Sequence, residues 1–421
     1  MIVKGDGIQP GDLSEYRITI TTIDKKEYDI STACLRVQLF QDIYAPFWTG
    51  SIFVGDTTNM ITNIPIEQGI KITVTWGTSF EYPEKCKGDK SIDFILYGIS
   101  NKQFIKGDLV TYELLIATKE FLASNTIRIT GRNPIKETAL TEQILKDVIK
   151  AKFPDDKFEI INETPTKTQV SFNANNWSWN YFLAFLLKLS QSSAPAKSED
   201  GKANVDYLFF KSDNDKFIFE SIDTLVTNKK YDTGLEFVRR PANTKDSDNE
   251  VMRSILNYSY SHFNSALNQN SGFEGNTIMS FDFTNKKINF TKSGTIDSTR
   301  KKADIISKGS QNSNIVFFPI SEQPNNTGDI SQDPVWVSKR KQHLLSLEQD
   351  VLKIQLQGSI CSWTWLGKQC KVIMPPFQDT VDTETEDKTY SGKYLINAIC
   401  HDIAPDAYRI NLSLSKLSLG D

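Results

Sequence analysis

Over the first 120 residues, apolar and polar positions alternate in short runs broken by Gly, Pro, Asn and Asp, the two-residue period of half-buried β-strands. Six runs stand out: Tyr16–Ile23, Cys34–Leu39, Gly50–Val54, Ile70–Trp76, Ile92–Ile99 and Tyr112–Ala117. Strands at that spacing predict a small barrel or sandwich. After Pro134 the period lengthens, and Thr138–Ile149 places Leu140, Ile144, Leu145 and Val148 on one helical face that stops before Pro154. A second helix is predicted over Ser178–Leu189, with Trp179, Phe182, Leu183, Leu186 and Leu187 as its buried stripe. Gln191–Asn204 is polar and reads as a loop tip. Strands return as a hairpin, Tyr207–Phe210 and Phe217–Phe219 around Ser212–Lys216. A further pair is predicted at Ile255–Tyr260 and Thr277–Phe283. Ser307–Asp333 reads as irregular, Pro334 opens a helix through about Val351, and the rest of the chain reads as strands.

The chain also resembles itself at a spacing of 300 residues. Phe94–Ile99 falls over Tyr394–Ile399 and Lys71-Ile72 over Lys371-Val372, while a spacing of 296 lays Tyr112–Ile116 over Tyr408–Leu412. Any two strands share apolar alternation, so this comparison alone leaves duplication and coincidence both open.

At 421 residues, with 39% hydrophobic and 11% aromatic side chains, the chain can bury real cores and divides into two to four domains. Its 48 basic and 52 acidic side chains give a net charge of −4, which provides no basic field for wrapping nucleic acid on an outer surface. The N-terminal residues carry no apolar run behind Lys4, and the longest apolar stretch, Phe182–Leu187, is far short of the roughly 20 residues of a membrane span. These features predict a soluble product with no membrane insertion. Cys34, Cys86, Cys361, Cys370 and Cys400 show no paired spacing, which argues against a disulfide framework or a zinc knuckle.

Candidate chemistry is sparse. His262, His343 and His401 are far apart and none falls in a metal-binding spacing. His401 beside Asp402 is conceivable as a couple but reads first as a barrel-rim histidine. There is no nucleophile elbow, Walker loop or dinucleotide fingerprint, and Gly5–Asp12 lacks the Lys and the following helix that a phosphate site needs, so it reads as an N-terminal arm. Asp213, Asp215 and Glu220 mimic a calcium loop, but Ile218 stands where such a loop needs Gly; a hairpin turn is the expectation. Asp246, Asp248 and Glu250 read as a solvated acidic loop, and Lys339-Arg340-Lys341 as the charged face of a helix. Trp363 and Trp365 alternate as if on one strand face, which would suit a ligand platform or, at least as well, burial in a barrel or a subunit interface. No catalytic, cofactor or metal residue emerges, so the chain is expected not to be an enzyme.

The C-terminal run is the most specific. Gly358, Ser359, Trp365, Gly367, Lys371–Pro375, a polar loop with Asp379 and Asp387, Ser391–Ile403 and Tyr408–Leu414 resemble the closing barrel of baseplate central hub proteins of contractile-tailed, myovirus-type phages. The N-terminal part of VgrG spike proteins and the late-control tail proteins share that layout. Leu35-x-Val37, Tyr44-Ala45-Pro46, Gly50–Ile52, Asp56, Pro65-Ile66 and Gly69–Val74 follow the hub order in the N-terminal barrel. Trp179–Tyr181 and Gly275–Phe283 also fit.

The resemblance implies a mainly β fold with α+β insertions. Two tube-protein-like barrels would occupy 1–125 and 251–284 with 351–421, an α/β insertion 126–250, and a further insertion with an irregular loop and helix 285–350. It further implies a homotrimer forming a pseudo-hexameric ring, because two similar surfaces per chain in three chains match a six-fold partner. Tail tube, central spike and baseplate wedge proteins would be its partners, without cofactors. DNA would pass through the lumen without specific binding, and mild acidity suits that role. The place of action would be the virion, after assembly in the host cytoplasm. Two other readings stay open. One is a VgrG-like spike component of a secretion or phage-derived injection system, for which a C-terminal needle or catalytic domain would be expected beyond Ser415–Asp421. The other is a carbohydrate-binding β-protein using Trp363 and Trp365.

Overall fold

In the computed structural model, the described residues are 9–83, 88–105, 109–135, 138–153, 158–167, 169–193, 206–213, 216–240, 247–262, 271, 276–282, 286–293, 315–320, 334–375, 386–387 and 389–416. Of the sequence expectations, the Gly5–Ile8 part of the arm, most of Gln191–Asn204, and Asp215 and Asp246 lie outside them.

The chain opens with β1 (Leu13–Thr21), β2 (Glu27–Asp29), β3 (Cys34–Asp42), β4 (Thr49–Asp56), one helical turn α1 (Met60–Asn63), β5 (Lys71–Thr78), β6 (Asp89–Phe104) and β7 (Val110–Ala117). All six predicted strands form; β2 has only three residues and leaves no periodic trace. An insertion follows: α2 (Lys119–Thr126), β8 (Arg128–Asn133), β9 (Ala139–Leu140), α3 (Thr141–Lys152), β10 (Glu159–Ile161), β11 (Gln169–Val170), β12 (Phe172–Ser178), α4 (Trp179–Leu189), the hairpin β13 (Tyr207–Asp213) and β14 (Lys216–Ser221), and α5 (Ile222–Thr227). The remainder is β15 (Asp232–Val238), α6 (Asp248–Met252), β16 (Asn257–Ser261), β17 (Asn276–Asp282), β18 (Lys287–Ser293), β19 (Ile315–Ile320), α7 (Pro334–Ser346), β20 (Val351–Gln357), a 3₁₀ turn (Ile360–Thr364), β21 (Gln369–Ile373), β22 (Gly392–Ala404) and β23 (Ala407–Lys416). The fold is mainly β with helical insertions, as expected.

Both ends of the chain share one sheet, ordered β16-β20-β23-β22-β3-β4-β7-β6-β5-β1-β2, with β21 and β15 continuing from β22. Within it the same strand order occurs twice. β5–β6–β7 is a meander whose last strand pairs β4, which pairs β3; β21–β22–β23 is a meander whose last strand pairs β20, which pairs β16. The ladders carry a bulge at the same step, between Leu96 and Gly98 in β6 and between Ile396 and Ala398 in β22. That places Tyr97 on Asn397 at the spacing of 300 read from the sequence. The second spacing is revised by the register: Ile116 faces Leu96 and Leu414 faces Ile396, so β7 and β23 correspond at 298 rather than 296. A slip of two keeps every side chain on its own face, and alternation alone cannot detect it.

β22 joins the two modules by changing partners midway. Its first residues pair β21, with Gly392 opposite Val372 and Leu395 opposite Gln369; after the bulge, Ala398–Ile403 pairs Asp42–Val37 of β3. A single core cluster accordingly runs from Leu13 to Leu414 through both modules.

The insertion has its own core. Ser178 caps α4, its hydroxyl accepting from the Tyr181 N–H at 3.3 Å; Trp179, Phe182, Leu183 and Leu186 of the predicted stripe are buried, whereas Leu187 is only half-buried and Leu189 is buried as well. α3 starts at Thr141, three residues later than expected, with Leu140 at its cap and Ile144, Leu145, Val148 and Ile149 buried. The hairpin β13–β14 is covered on both faces: Leu208, Phe210 and Ile218 face the main core, whereas Tyr207, Phe209, Phe217 and Phe219 face the insertion core. That is why its sequence is a continuous apolar run rather than an alternating one.

Four elements depart from expectation. β15, from the stretch expected to be insertion, pairs β21 in the main sheet, while β17, expected in the second barrel, forms a separate three-stranded sheet with β18 and β19. β19 is a strand within the stretch expected to be irregular. α7 ends at Ser346, because the chain must turn before β20 begins at Val351.

Candidate interaction surface

The junction between the modules is filled by aromatic and polar groups that neither module supplies alone. Trp363 lies in the 3₁₀ turn, not on a strand, with its ring 4.7 Å from Trp48, 5.4 Å from Trp76 and 4.5 Å from His401. Trp363 and Trp365 are 1% and 3% exposed, so neither can stack on a sugar. This removes the platform on which a carbohydrate-binding reading leaned.

His401 is not at a rim. It sits within β22, fully buried, opposite Leu39 of β3. The Gln41 side chain donates Nε2–H to the Trp363 carbonyl at 3.2 Å, which leaves its Oε1 to accept from His401 Nε2 at 3.2 Å. Nδ1 of His401 then accepts from the Tyr408 hydroxyl at 2.7 Å, which fixes the neutral tautomer. Burial, helped by the nearby Lys90 charge, pulls the imidazole pKa down to about 3. Both ring nitrogens are committed and the ring stays neutral, an arrangement suited to holding strands in register. Asp402 does not couple to the imidazole; it faces outward and accepts two bonds from the Arg36 guanidinium at 2.6 and 2.7 Å, clamping β22 to β3.

The other sequence candidates resolve in the same structural direction. Asp213 pairs with Lys90 at 3.0 Å, and Glu220 is buried with Oε1 accepting from the backbone N–H groups of Glu163 and Thr164. Burial lifts the Glu220 carboxyl to about 7 despite those donors. Asp248 and Glu250 belong to a helix rather than a loop: Ser247 and Glu250 form a capping box, and Glu250 also pairs Arg240 at 3.1 Å. The backbone N–H of Ser247 is the chief cause holding the Glu250 carboxyl down at about 2. Arg340 is not part of a solvated basic face; its guanidinium donates to the Leu187 carbonyl at 2.8 Å and so ties α7 to α4. Cys361 is disulfide-bonded, a bridge that residue spacing did not predict, whereas Cys34, Cys370 and Cys400 are free thiols.

A cavity of about 330 Å³ lies where β15 meets β21, lined by Gly234, Leu235, Cys370 and the Lys393–Asp232 ion pair. Burial raises the Cys370 thiol far above its ordinary value, so it is not a nucleophile. Among the described residues, no three His, Cys, Asp or Glu side chains gather to hold a metal, and no helix is long and apolar enough to cross a membrane.

What the fold does present is strand edges. The outer edge of β15 is closed by a side chain: the Tyr82 hydroxyl accepts from the Glu236 N–H and donates to the Glu236 carbonyl, both at 3.1 Å. Among the described strands, the far half of β6 pairs only β7.

No protein-family model and no curated protein matches the chain. Among solved structures, the 43 kDa tail protein of prophage MuSo2 from Shewanella oneidensis aligns over 97% of this chain and 100% of its own, with a TM-score of 0.54 and 11% identity. The tail protein of Neisseria meningitidis MC58 aligns over 96% and 97%, with a TM-score of 0.55 and 10% identity. A component of the Escherichia coli type VI secretion system aligns over 91% of this chain and 74% of its own, at 10% identity and a TM-score of only 0.43. The chain thus has the fold of phage tail proteins, in line with the hub resemblance read from its sequence.

Proposed function

We propose that this chain is the structural hub of a contractile tail baseplate: three copies form a pseudo-hexameric ring that joins a six-fold tail tube to a three-fold central spike, and DNA passes through its lumen. The supporting observation is the repeated strand order within one sheet, welded by β22 and β3. Two quasi-equivalent modules per chain let a three-fold ring offer six similar docking surfaces, the simplest covalent way to reconcile the two symmetries. The buried groups at the junction are used up in holding the modules together, which suits a scaffold rather than an enzyme. The insertion built on α3 and α4 would reach wedge or spike proteins, and the place of action would be the virion, after assembly in the host cytoplasm. Light scattering on the purified protein tests the reading. The expected mass is three times the 47.7 kDa of one chain; a monomer at every concentration would count against it.

A further inference from the structure

Residues 163 and 164, in the crossing from β10 to β11, are tied down by side chains. Their N–H groups both donate to Oε1 of Glu220 on β14, the Thr164 carbonyl accepts from the Tyr207 hydroxyl at 2.8 Å, and the Thr164 hydroxyl meets that of Thr224 on α5 at 3.0 Å. Glu163 pairs with Lys230. The chain just beyond is held by backbone instead: the Pro165 carbonyl accepts from the Ser193 N–H and the Lys167 N–H donates to the Gln191 carbonyl, both at 2.9 Å. Glu220 is 0% exposed, and its second oxygen, Oε2, is buried without a hydrogen-bond partner. A carboxylate oxygen left dry with no donor is costly, whereas a carboxylic acid carries its own proton there. The surrounding charge points the same way. Glu163 from the crossing and Glu142 from the start of α3 face Glu220 with like sign, while Tyr207 of β13 and Tyr231 beyond α5 face it with hydroxyls that burial holds neutral.

We infer that residues 163–164 are a proton-controlled latch, closed while Glu220 carries a proton and swinging off about the anchored Pro165 when that carboxyl ionises. With the latch shut and Glu220 ionised, a fully buried charge lies between two further carboxylates; lifting the latch admits water and draws Glu163 away. The two N–H bonds to Oε1 oppose opening, but they are outweighed. Burial, ahead of every other cause, raises the Glu220 carboxyl from 4.5 to about 7 with those donors in place. Once open and hydrated, the carboxyl returns toward its ordinary value. Proton affinity is therefore higher closed than open, so closure is fully favoured below pH 4.5 and weakens as pH rises to about 7, by about tenfold per unit and up to about 300-fold in all. The insertion thereby presents one surface in mild acid and another, with Glu220 and the Tyr207 hydroxyl uncovered, near neutrality.

Hydrogen exchange of the full-length protein, read at single amides by mass spectrometry over about pH 4–9 and divided by the intrinsic chemical rates, tests the latch. Exchange at Glu163 and Thr164 should accelerate by up to about 300-fold between pH 4.5 and about 7 and level off above it, while Lys167, bonded to the Gln191 carbonyl, keeps constant protection. In Glu220→Gln, which keeps a carbonyl acceptor but cannot ionise, the two amides should be equally protected at every pH. Should that variant fail to fold, Glu163→Gln serves in its place: with one like charge gone, the acceleration should end at a lower pH. Wild-type protection at Glu163 and Thr164 that is independent of pH, or that changes to the same extent at Lys167, overturns the latch. So does a pH dependence that persists in Glu220→Gln, or one left unmoved by Glu163→Gln.

Discussion

The buried pair Lys211–Glu120 makes a sharp test of how the insertion is fastened to the first module. Nζ of Lys211, on β13, lies 3.0 Å from Oε1 of Glu120, on α2, with each side chain only 4% exposed. The ammonium also sits 4.8 Å from the centre of the Trp48 ring, whose Nε1 donates to the Lys211 carbonyl at 3.1 Å. Glu120→Leu removes the carboxylate that faces the buried ammonium at 3.0 Å. Breaking such a pair costs about 3–5 kcal/mol, because desolvation of the remaining ion is no longer offset. Replacing both partners, Glu120→Leu with Lys211→Met, leaves no buried charge, and the double variant should lie between neutrality and a gain of about 1–4 kcal/mol relative to wild type. The ordering is therefore non-additive: the second substitution restores what the first removes. Guanidinium unfolding followed by tryptophan fluorescence and circular dichroism measures all four corners of the cycle. A double variant as unstable as, or worse than, Glu120→Leu would refute the reasoning and show that the cost comes from lost packing rather than from an orphaned charge.

His401 is neutral when folded and has a pKa of about 3, so it contributes stability that is present above pH 6.5 and lost as pH falls from 6.5 toward 3, by roughly 4–5 kcal/mol in all. His401→Gln should flatten the fall in unfolding free energy over that window. Glu220 acts in the opposite sense: with its pKa raised from 4.5 to about 7, the fold loses up to roughly 3 kcal/mol as pH rises through that interval, and Glu220→Gln should remove this loss in the same titration. Trp363→Ala empties the most crowded point of the junction and should lower stability by about 3–5 kcal/mol, read by chemical denaturation. The Arg36–Asp402 pair is half-exposed on its Arg side, so Arg36→Ala should cost no more than about 1 kcal/mol, despite the short distances, in the same assay.

The strands were legible because an antiparallel sheet with one buried face imposes alternation on each strand separately: Ile18 and Ile20 in β1, or Ile72, Val74 and Trp76 in β5, announce themselves locally. Trp363 and Trp365 are buried, as one of the two sequence readings has it, but they do not share a strand face, for a related reason. A Trp-Thr-Trp spacing imitates a strand, while the feature that decides against one, the bond from the Trp365 N–H to the Ser362 carbonyl, leaves no apolar period. The site at the junction was not legible, since His401, Gln41 and Tyr408 meet only once β22 has been laid against β3, and nothing near His401 in the sequence encodes that pairing. The duplication was visible at Phe94–Ile99 and Tyr394–Ile399 because the bulge fixes where apolar alternation slips. It was misregistered by two at Tyr112, where face and period are unchanged.

The central claim is that each chain supplies two like modules to a closed ring. Electron-microscopy class averages of the purified oligomer measure this directly. The account predicts a ring of three chains that looks six-fold at low resolution, with an open centre. A two-fold particle, an open filament, or a ring in which only one module per chain borders the centre would contradict it.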